Sequence, residues 1–311
     1  MNNDNKPNIK HLVISGGGPS MYLTLGALQH LEENQFVNLT KIETIYGTSA
    51  GAIIGALICF QYDWETLKQY MINRPWHEVF PVKVQNIFDA YTKKGIFDEN
   101  TIIKCFRPLL LAKDLDIQIS LKELYEFSKI ELHILTFEIN SYQVEDVSYL
   151  THPDISLITA IHMSCALPVL LTPVCLGEKC YIDGGVTANY PLKWCLPNKN
   201  IHEILGFRNQ YSKSSNTIID SKSTLLEFVT TFLSKLVNSI GTDNIEQPFI
   251  PYEIKCEIKH LSISYLKSAL YSMETREELY KNGIETAAHF LFHLKREESS
   301  VALEDSVQKL D

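Results

Sequence analysis

The chain has 311 residues, 45% of them hydrophobic and 21% charged, which is enough apolar material to bury a large core as one domain or as a domain with an appendage. Its 28 basic and 37 acidic residues leave a net charge of -9, which argues against a generic nucleic-acid binder and against constitutive attachment to anionic membranes through charge alone. Seven irregularly spaced cysteines without a C-x-x-C pair predict reduced, mostly buried thiols rather than a disulfide framework or zinc site; Cys175 and Cys180 are spaced to pair across a hairpin, but the cytosolic setting expected for the chain disfavours it.

Residues 1–10 are polar and hold no secretory signal, and no apolar run reaches the roughly 18 residues that span a bilayer, so a cytoplasmic location is expected. The first strand expected is His11 to Ser15, which runs into Gly16-Gly17-Gly18-Pro19. Met21, Leu25, Leu28 and Leu31 then follow helical spacing. Such a loop presents backbone N–H groups. Pro19 suits the first helical position but cannot donate, so any anion must be held by the glycines or by residues beyond. A phosphate cradle is disfavoured, because neither G-K-[ST] nor G-x-G-x-x-G is present.

Ile42 to Gly51 reads as strand, sharp turn and helix, with Ser49 at the apex of Gly47-Thr48-Ser49-Ala50-Gly51. Two glycines at this spacing keep Cβ atoms out of a tight elbow and push the serine hydroxyl into the open, as a nucleophile requires. The positive end of the following helix would face an oxyanion formed beside Ser49. The plainer alternative is a glycine-rich turn with an idle serine.

Residues 64–107 read as helices and loops with scattered aromatics, 131–139 as a strand, 144–150 as its hairpin partner, and 155–166 as a helix that must end before Pro168. Lys179 to Val186 is a strand entering Asp183-Gly184-Gly185, and Ile201 to Phe207 is a further strand. Asn209 to Ser223 is polar and Ser-rich, a candidate mobile loop or boundary. Leu225 to Ile240 reads as a broad apolar helix, packed on the core or serving as a lid. The last helix expected, Glu274 to Glu297, aligns Glu285, His289 and His293, which a solvated face explains better than a metal site.

Serine nucleophiles need a base and an oxyanion binder. Loops after the strands that carry Gly18, Ser49 and Asp183 can converge at the carboxyl ends of an open α/β sheet. A Ser-His-Asp triad stays open on this reading, with His133, His152, His162, His202 and His260 downstream of the elbow.

The ordered motifs Gly16-Gly17-Gly18, Gly47-Thr48-Ser49-Ala50-Gly51 and Asp183-Gly184-Gly185 resemble those of the patatin-like phospholipases. Ser164-Cys165-Ala166-Leu167-Pro168 and Asn189-Tyr190-Pro191 support the match over about residues 10 to 207. The resemblance implies an α/β fold, a three-layer α/β/α sandwich with a mainly parallel central sheet, as a catalytic domain over 10–207. Residues 208–311 would form a mainly helical C-terminal region packed on it, with a lid or membrane-facing segment. It implies phospholipase A-type cleavage of fatty-acyl esters of phospholipids with no metal or other cofactor. Ser49 would be the nucleophile, Asp183 the base, and the backbone at Gly17 and Gly18 the oxyanion hole, with transient peripheral contact to a membrane. Where the family has x-Arg/Lys-Gly after the glycines, this chain has Pro19-Ser20-Met21. That departure keeps a non-catalytic lipid-binding or scaffold protein in view, and a neutral-lipid or lysophospholipid esterase is the other alternative.

Overall fold

The computed structural model describes residues 7–81, 84–211, 218–225, 227–229, 231–233, 235, 248–258 and 262–308. The chain starts as expected. The wholly buried strand β1 (His11–Ile14) enters the glycine loop, a 3-10 turn (Gly18–Ser20) takes Pro19, and α1 (Met21–Glu33) follows. β2 (Thr44–Thr48) is buried throughout and leads into α2 (Ala50–Cys59). Apart from Ile53, every residue of α2 is buried. A helix apolar on all sides belongs between layers, and α2 rests on β2 and β4.

Short helices come next: α3 (Trp64–Asn73), α4 (Trp76–Val79) and α5 (Val84–Lys93), then a short strand β3 (Gly95–Phe97), α6 (Glu99–Leu111) and α7 (Leu121–Ser128). Polar side chains set several helix starts. Asp63 accepts from the Thr66 N–H at the head of α3, and Ser120 with Glu123 forms a reciprocal cap on α7. The hairpin read at 131–150 is β4 (Glu131–Glu138) with β5 (Gln143–Val147), paired antiparallel. The helix read at 155–166 is α8 (Leu157–Cys165), capped by Ser156 and stopped ahead of Pro168. Short strands β6 (Val169–Leu171) and β7 (Val174–Leu176) precede β8 (Lys179–Asp183), after which come α9 (Leu192–Cys195), β9 (Ile204–Tyr211), β10 (Tyr252–Ile258), α10 (Ile263–Tyr271) and α11 (Met273–Gln308).

The main sheet has the order β10-β9-β1-β2-β4-β8-β7, with β5 also on β4, while β3 and β6 pair separately. Its neighbours from β10 to β4 are parallel, and such strands, covered on both faces, read as continuous apolar runs. The other β4 partners, β5 and β8, are antiparallel, as is β7 on β8. The sheet is therefore mixed but mostly parallel.

Residues past 208 contribute more than helices. β10, read as part of a mainly helical region, lies along β9 in parallel register from Tyr252 opposite Leu205 to Ile258 opposite Tyr211. α11 crosses α1 at very close range: a Cβ on Gly26 would fall 2.0 Å from the Tyr280 carbonyl oxygen, and one on Gly283 would fall 1.9 Å from that of Leu23. Tyr280, Ala287 and Leu291 of α11 belong to the same buried cluster as Leu25 and Leu28 of α1. Much of the apolar helix read at 225–240 (226, 230, 234 and 236–240) lies outside the described residues, as do 212–217 of the Ser-rich loop. In what is described, Phe228 and Phe232 stack with their centroids 6.3 Å apart and both rings substantially exposed.

The expectation of wholly reduced thiols is corrected at one place. Cys175 and Cys180 form a disulfide. They are directly opposite in the antiparallel β7–β8 register, with Cα atoms 4.0 Å apart, so the hairpin itself brings the two sulfurs together. The other five cysteines are free, and all but Cys105 are buried. Among the described residues no group of His, Cys, Asp and Glu is arranged to hold a metal ion, and Glu285, His289 and His293 lie along α11.

Candidate active site

The elbow forms where β2 stops. Thr48 is its last strand residue and Ala50 the first residue of α2, leaving Ser49 between them at φ 52° and ψ -118°. Such a conformation is costly for a residue with a side chain, on the order of 1–3 kcal/mol, and persists only where the surroundings impose it. Here they do. The buried Ser164 hydroxyl of α8 accepts from the Ser49 N–H at 2.8 Å and donates to the Leu135 carbonyl of β4 at 2.6 Å. The glycines allow the packing: a Cβ on Gly47 would sit 2.5 Å from the Gly51 carbonyl, and one on Gly51 would sit 2.2 Å from the Ile14 carbonyl. Gly51 thus lets α2 approach the end of β1, beyond its role in the turn.

Asp183 arrives from the opposite direction. On β4, residues 134–138 pair with β5, 131–135 with β2, and 136–138 with β8. A strand has two edges, so β2 and β8 share one of them, head to head. Thr48 is opposite Leu135 and Asp183 is opposite Thr136. The sequence reading placed Asp183 at the carboxyl end of a strand in a mainly parallel sheet without assigning that strand's direction, and β8 runs against β4. The two carboxyl ends meet because β2 and β8 run toward each other along β4 and stop opposite adjacent residues, Leu135 and Thr136. As a result the Ser49 hydroxyl donates to Asp183 Oδ2 at 2.8 Å.

The remaining contacts fix the carboxylate. Its Oδ1 accepts from the Gly185 N–H at 2.7 Å, and its own backbone N–H donates to the Ala166 carbonyl at 3.0 Å. Gly184 sits against the Leu135 carbonyl, where a Cβ would come within 2.3 Å. Burial pushes the Asp183 carboxyl up to about 6, only partly countered by the hydrogen bonds from Gly185 and Ser49. Burial holds the Cys165 thiol, at the end of α8, well above the ordinary range.

The glycine loop borders the same point. A Cβ on Gly16 would come 3.1 Å from the Ser49 Cβ. The Gly16 N–H donates to the Asn189 carbonyl at 3.0 Å and the Thr48 hydroxyl to the Ala188 carbonyl at 2.7 Å, so the segment after Asp183 is fastened to both the loop and the elbow. Among the described residues, the N–H groups of Gly17 and Gly18 donate to no protein acceptor.

The structure thus brings Gly16 of the glycine loop, Ser49 and Asp183 together. It brings in no histidine among the described residues. His133 bonds Asp146 at 2.8 Å and stacks on Tyr46, His162 bonds Thr172 at 3.4 Å, and His152 bonds Thr151 at 2.9 Å. Among the described residues no histidine hydrogen-bonds to Ser49 or Asp183; His260 lies outside them. Sequence reasoning attached no role to Ser164 or Asn209. The available signal for Ser164 was its place at the head of the Ser164-Cys165-Ala166-Leu167-Pro168 run, and for Asn209 there was none.

A family model described as patatin-like phospholipase matches residues 12–195. The chain is 26% identical over 185 residues to the "Probable lipid hydrolase 463L" of Invertebrate iridescent virus 6, covering 59% of this chain and 62% of that one. It is 27% identical over 186 residues to the "Uncharacterized protein R571" of Acanthamoeba polyphaga mimivirus, covering 59% and 60%. The match therefore spans about three fifths of these viral relatives. The crystal structure of VipD from Legionella pneumophila shares the fold at a TM-score of 0.57 and 16% identity, over 92% of this chain and 67% of that one.

Proposed function

Because the chain belongs to the patatin-like phospholipase family, we propose that it is a lipid acyl hydrolase that cleaves fatty-acyl esters of phospholipids through a Ser49–Asp183 dyad. The observation that carries this reading is the 2.8 Å hydrogen bond from a serine held at φ 52° to a buried carboxylate. Asp183 takes the Ser49 proton as Oγ attacks the ester carbonyl carbon, and the carbonyl oxygen becomes an oxyanion facing the N–H groups of Gly17 and Gly18. Collapse breaks the ester C–O bond, and the departing alkoxide takes the proton back from Asp183. Water then attacks the acyl-serine with Asp183 again as base, which releases the fatty acid and restores Ser49.

A base with an ordinary carboxylate pKa would hold the serine proton too weakly. The displacement of Asp183 to about 6 brings it nearer the value that suits proton transfer at neutral pH. Among the described residues no helix is long and apolar enough to cross a membrane, so a lipid substrate would be met at a surface.

The test uses the intact chain on phosphatidylcholine vesicles and on nitrophenyl butyrate, alongside a fluorophosphonate probe. Turnover and probe labelling at Ser49, both lost in Ser49→Ala, are expected. Turnover that survives in both Ser49→Ala and Asp183→Asn would overturn the dyad. No turnover and no labelling would leave a lipid-binding scaffold instead.

A further inference from the structure

We propose that Asn209 is a positioning residue that orients the Gly16–Gly17 peptide so that its N–H faces the oxyanion; this rests on the hydrolase reading above. The chain departs from its family at Pro19-Ser20-Met21, and the contacts around that departure show what steadies the loop. Asn209 Nδ2 donates to the Gly16 carbonyl at 2.7 Å and to the Ser20 hydroxyl at 2.9 Å, while the Asn209 backbone N–H donates to the Ser15 hydroxyl at 3.3 Å. Ser20 is buried. The side-chain amide of Asn209 therefore ties Gly16 to Ser20, and its backbone N–H adds a third point at Ser15.

The consequence follows from peptide geometry. In a trans peptide the C=O of one residue and the N–H of the next point in opposite directions. Among the described residues no peptide is cis. With its carbonyl held by Asn209, the Gly16–Gly17 peptide must direct the Gly17 N–H away from Asn209. β1 lies between β9, which carries Asn209, and β2, which delivers Ser49. The N–H is thereby turned to the side of the nucleophile, next to which Gly16 already stands. A peptide flip would reverse this, putting a carbonyl oxygen where the oxyanion must form.

Gly17 is fitted to the same clamp. A Cβ there would lie 2.4 Å from Asn209 Nδ2 and 2.4 Å from Ser20 Oγ, displacing both. Ser20, which stands within the segment that lacks the family's basic residue, supplies the acceptor that keeps the Asn209 amide from rotating. The arrangement makes the hole depend on a contact between residues 193 positions apart.

The test compares the intact chain with Asn209→Ala, Asn209→Gln and Ser20→Ala on a phospholipid substrate. Each protein is also titrated with an alkyl trifluoromethyl ketone, which adds to Ser49 as a tetrahedral oxyanion, and with an uncleavable ether phospholipid, which cannot. Loss of an oriented oxyanion donor should lower kcat by about 10²-fold and weaken the ketone by a similar factor, with ether-lipid affinity and KM changed by less than about 3-fold. Asn209→Gln, which keeps the donor, should recover part of the loss on both readouts. Ser20→Ala should move them together by about 10-fold, and it decides the matter where Asn209→Ala fails to fold.

A variant that loses kcat but binds the ketone as well as the unmutated chain does would overturn the proposal, as would kcat kept within about 3-fold in both Asn209→Ala and Ser20→Ala. If the unmutated chain neither turns over substrate nor binds the ketone, the hydrolase reading itself fails and this one with it.

Discussion

Replacing Asp183 by asparagine separates what the carboxylate does for chemistry from what its burial costs the fold. Asp183 is 6% exposed and its carboxyl sits at about 6 instead of 3.8. That difference of roughly two pKa units corresponds to about 3 kcal/mol. Between those values the folded chain keeps a proton that the unfolded chain has released, so stability falls as pH rises from about 4 and the whole cost is present above about pH 6. Asparagine carries no charge to desolvate, is the same size, and can still accept from the Gly185 N–H. Asp183→Asn should therefore be more stable than the unmutated chain by up to about 3 kcal/mol at pH 8, with the gain vanishing below about pH 4. Activity should move the other way, falling by about 10²–10⁴-fold with the loss of a proton acceptor. For the unmutated chain, kcat/KM should drop tenfold per pH unit below about 6. The assay is urea unfolding from pH 4 to 8 beside the pH–rate profile. An Asp183→Asn protein less stable than its parent at pH 8 would refute the desolvation argument, and an acid limb centred near 4 would refute the raised carboxyl.

Ser164→Ala removes the hydroxyl that links the Ser49 N–H to the Leu135 carbonyl, so unfolding should show a loss of about 1–3 kcal/mol, accompanied by slower fluorophosphonate labelling of Ser49. Labelling at the parental rate would mean that the elbow holds its own shape. Gly283→Ala forces a Cβ to 1.9 Å from the Leu23 carbonyl, so α11 must lift from α1 at a cost of about 3 kcal/mol or more, read as a fall in melting temperature. The control is Gly177→Ala at the β7–β8 turn, where nothing lies within 4 Å but φ is +62°, and the cost should be nearer 1 kcal/mol. A peptide map without reductant should recover Cys175 and Cys180 linked, and two free thiols at these positions in protein purified without reductant would contradict the pairing.

Fastening the end of a helix, turning a strand into an elbow and stopping α8 are local tasks, and the residues that perform them announce themselves. The glycines around Ser49, the apolar runs of β1, β2 and β4, and the Asp-Gly-Gly turn were legible because each works within a few positions of itself. β10 was less so, since the alternating burial of Tyr252–Ile258 acquires meaning only beside β9. Cys175 and Cys180 were legible as a pair by their spacing, and the compartment argument set against them was not a structural one.

What the chain could not announce was how distant segments are turned toward one another. β8 takes the stretch of the shared β4 edge left free past Leu135, opposite which β2 ends, and it runs there against β4. The partners of the elbow and the glycine loop, Ser164 and Asn209, lie 115 and 193 positions from the groups they hold. The sequence by itself therefore determined that a serine would be presented in a strained turn, because glycine placement and strand-to-helix punctuation are properties of neighbouring residues. The motifs and the family resemblance already pointed to Asp183. Only the tertiary structure decided how that carboxylate meets the serine, in what protonation range, and which amide steadies the loop beside it. Burial and hydrogen-bond partnership depend on what the rest of the chain packs around a group, and no local pattern records that.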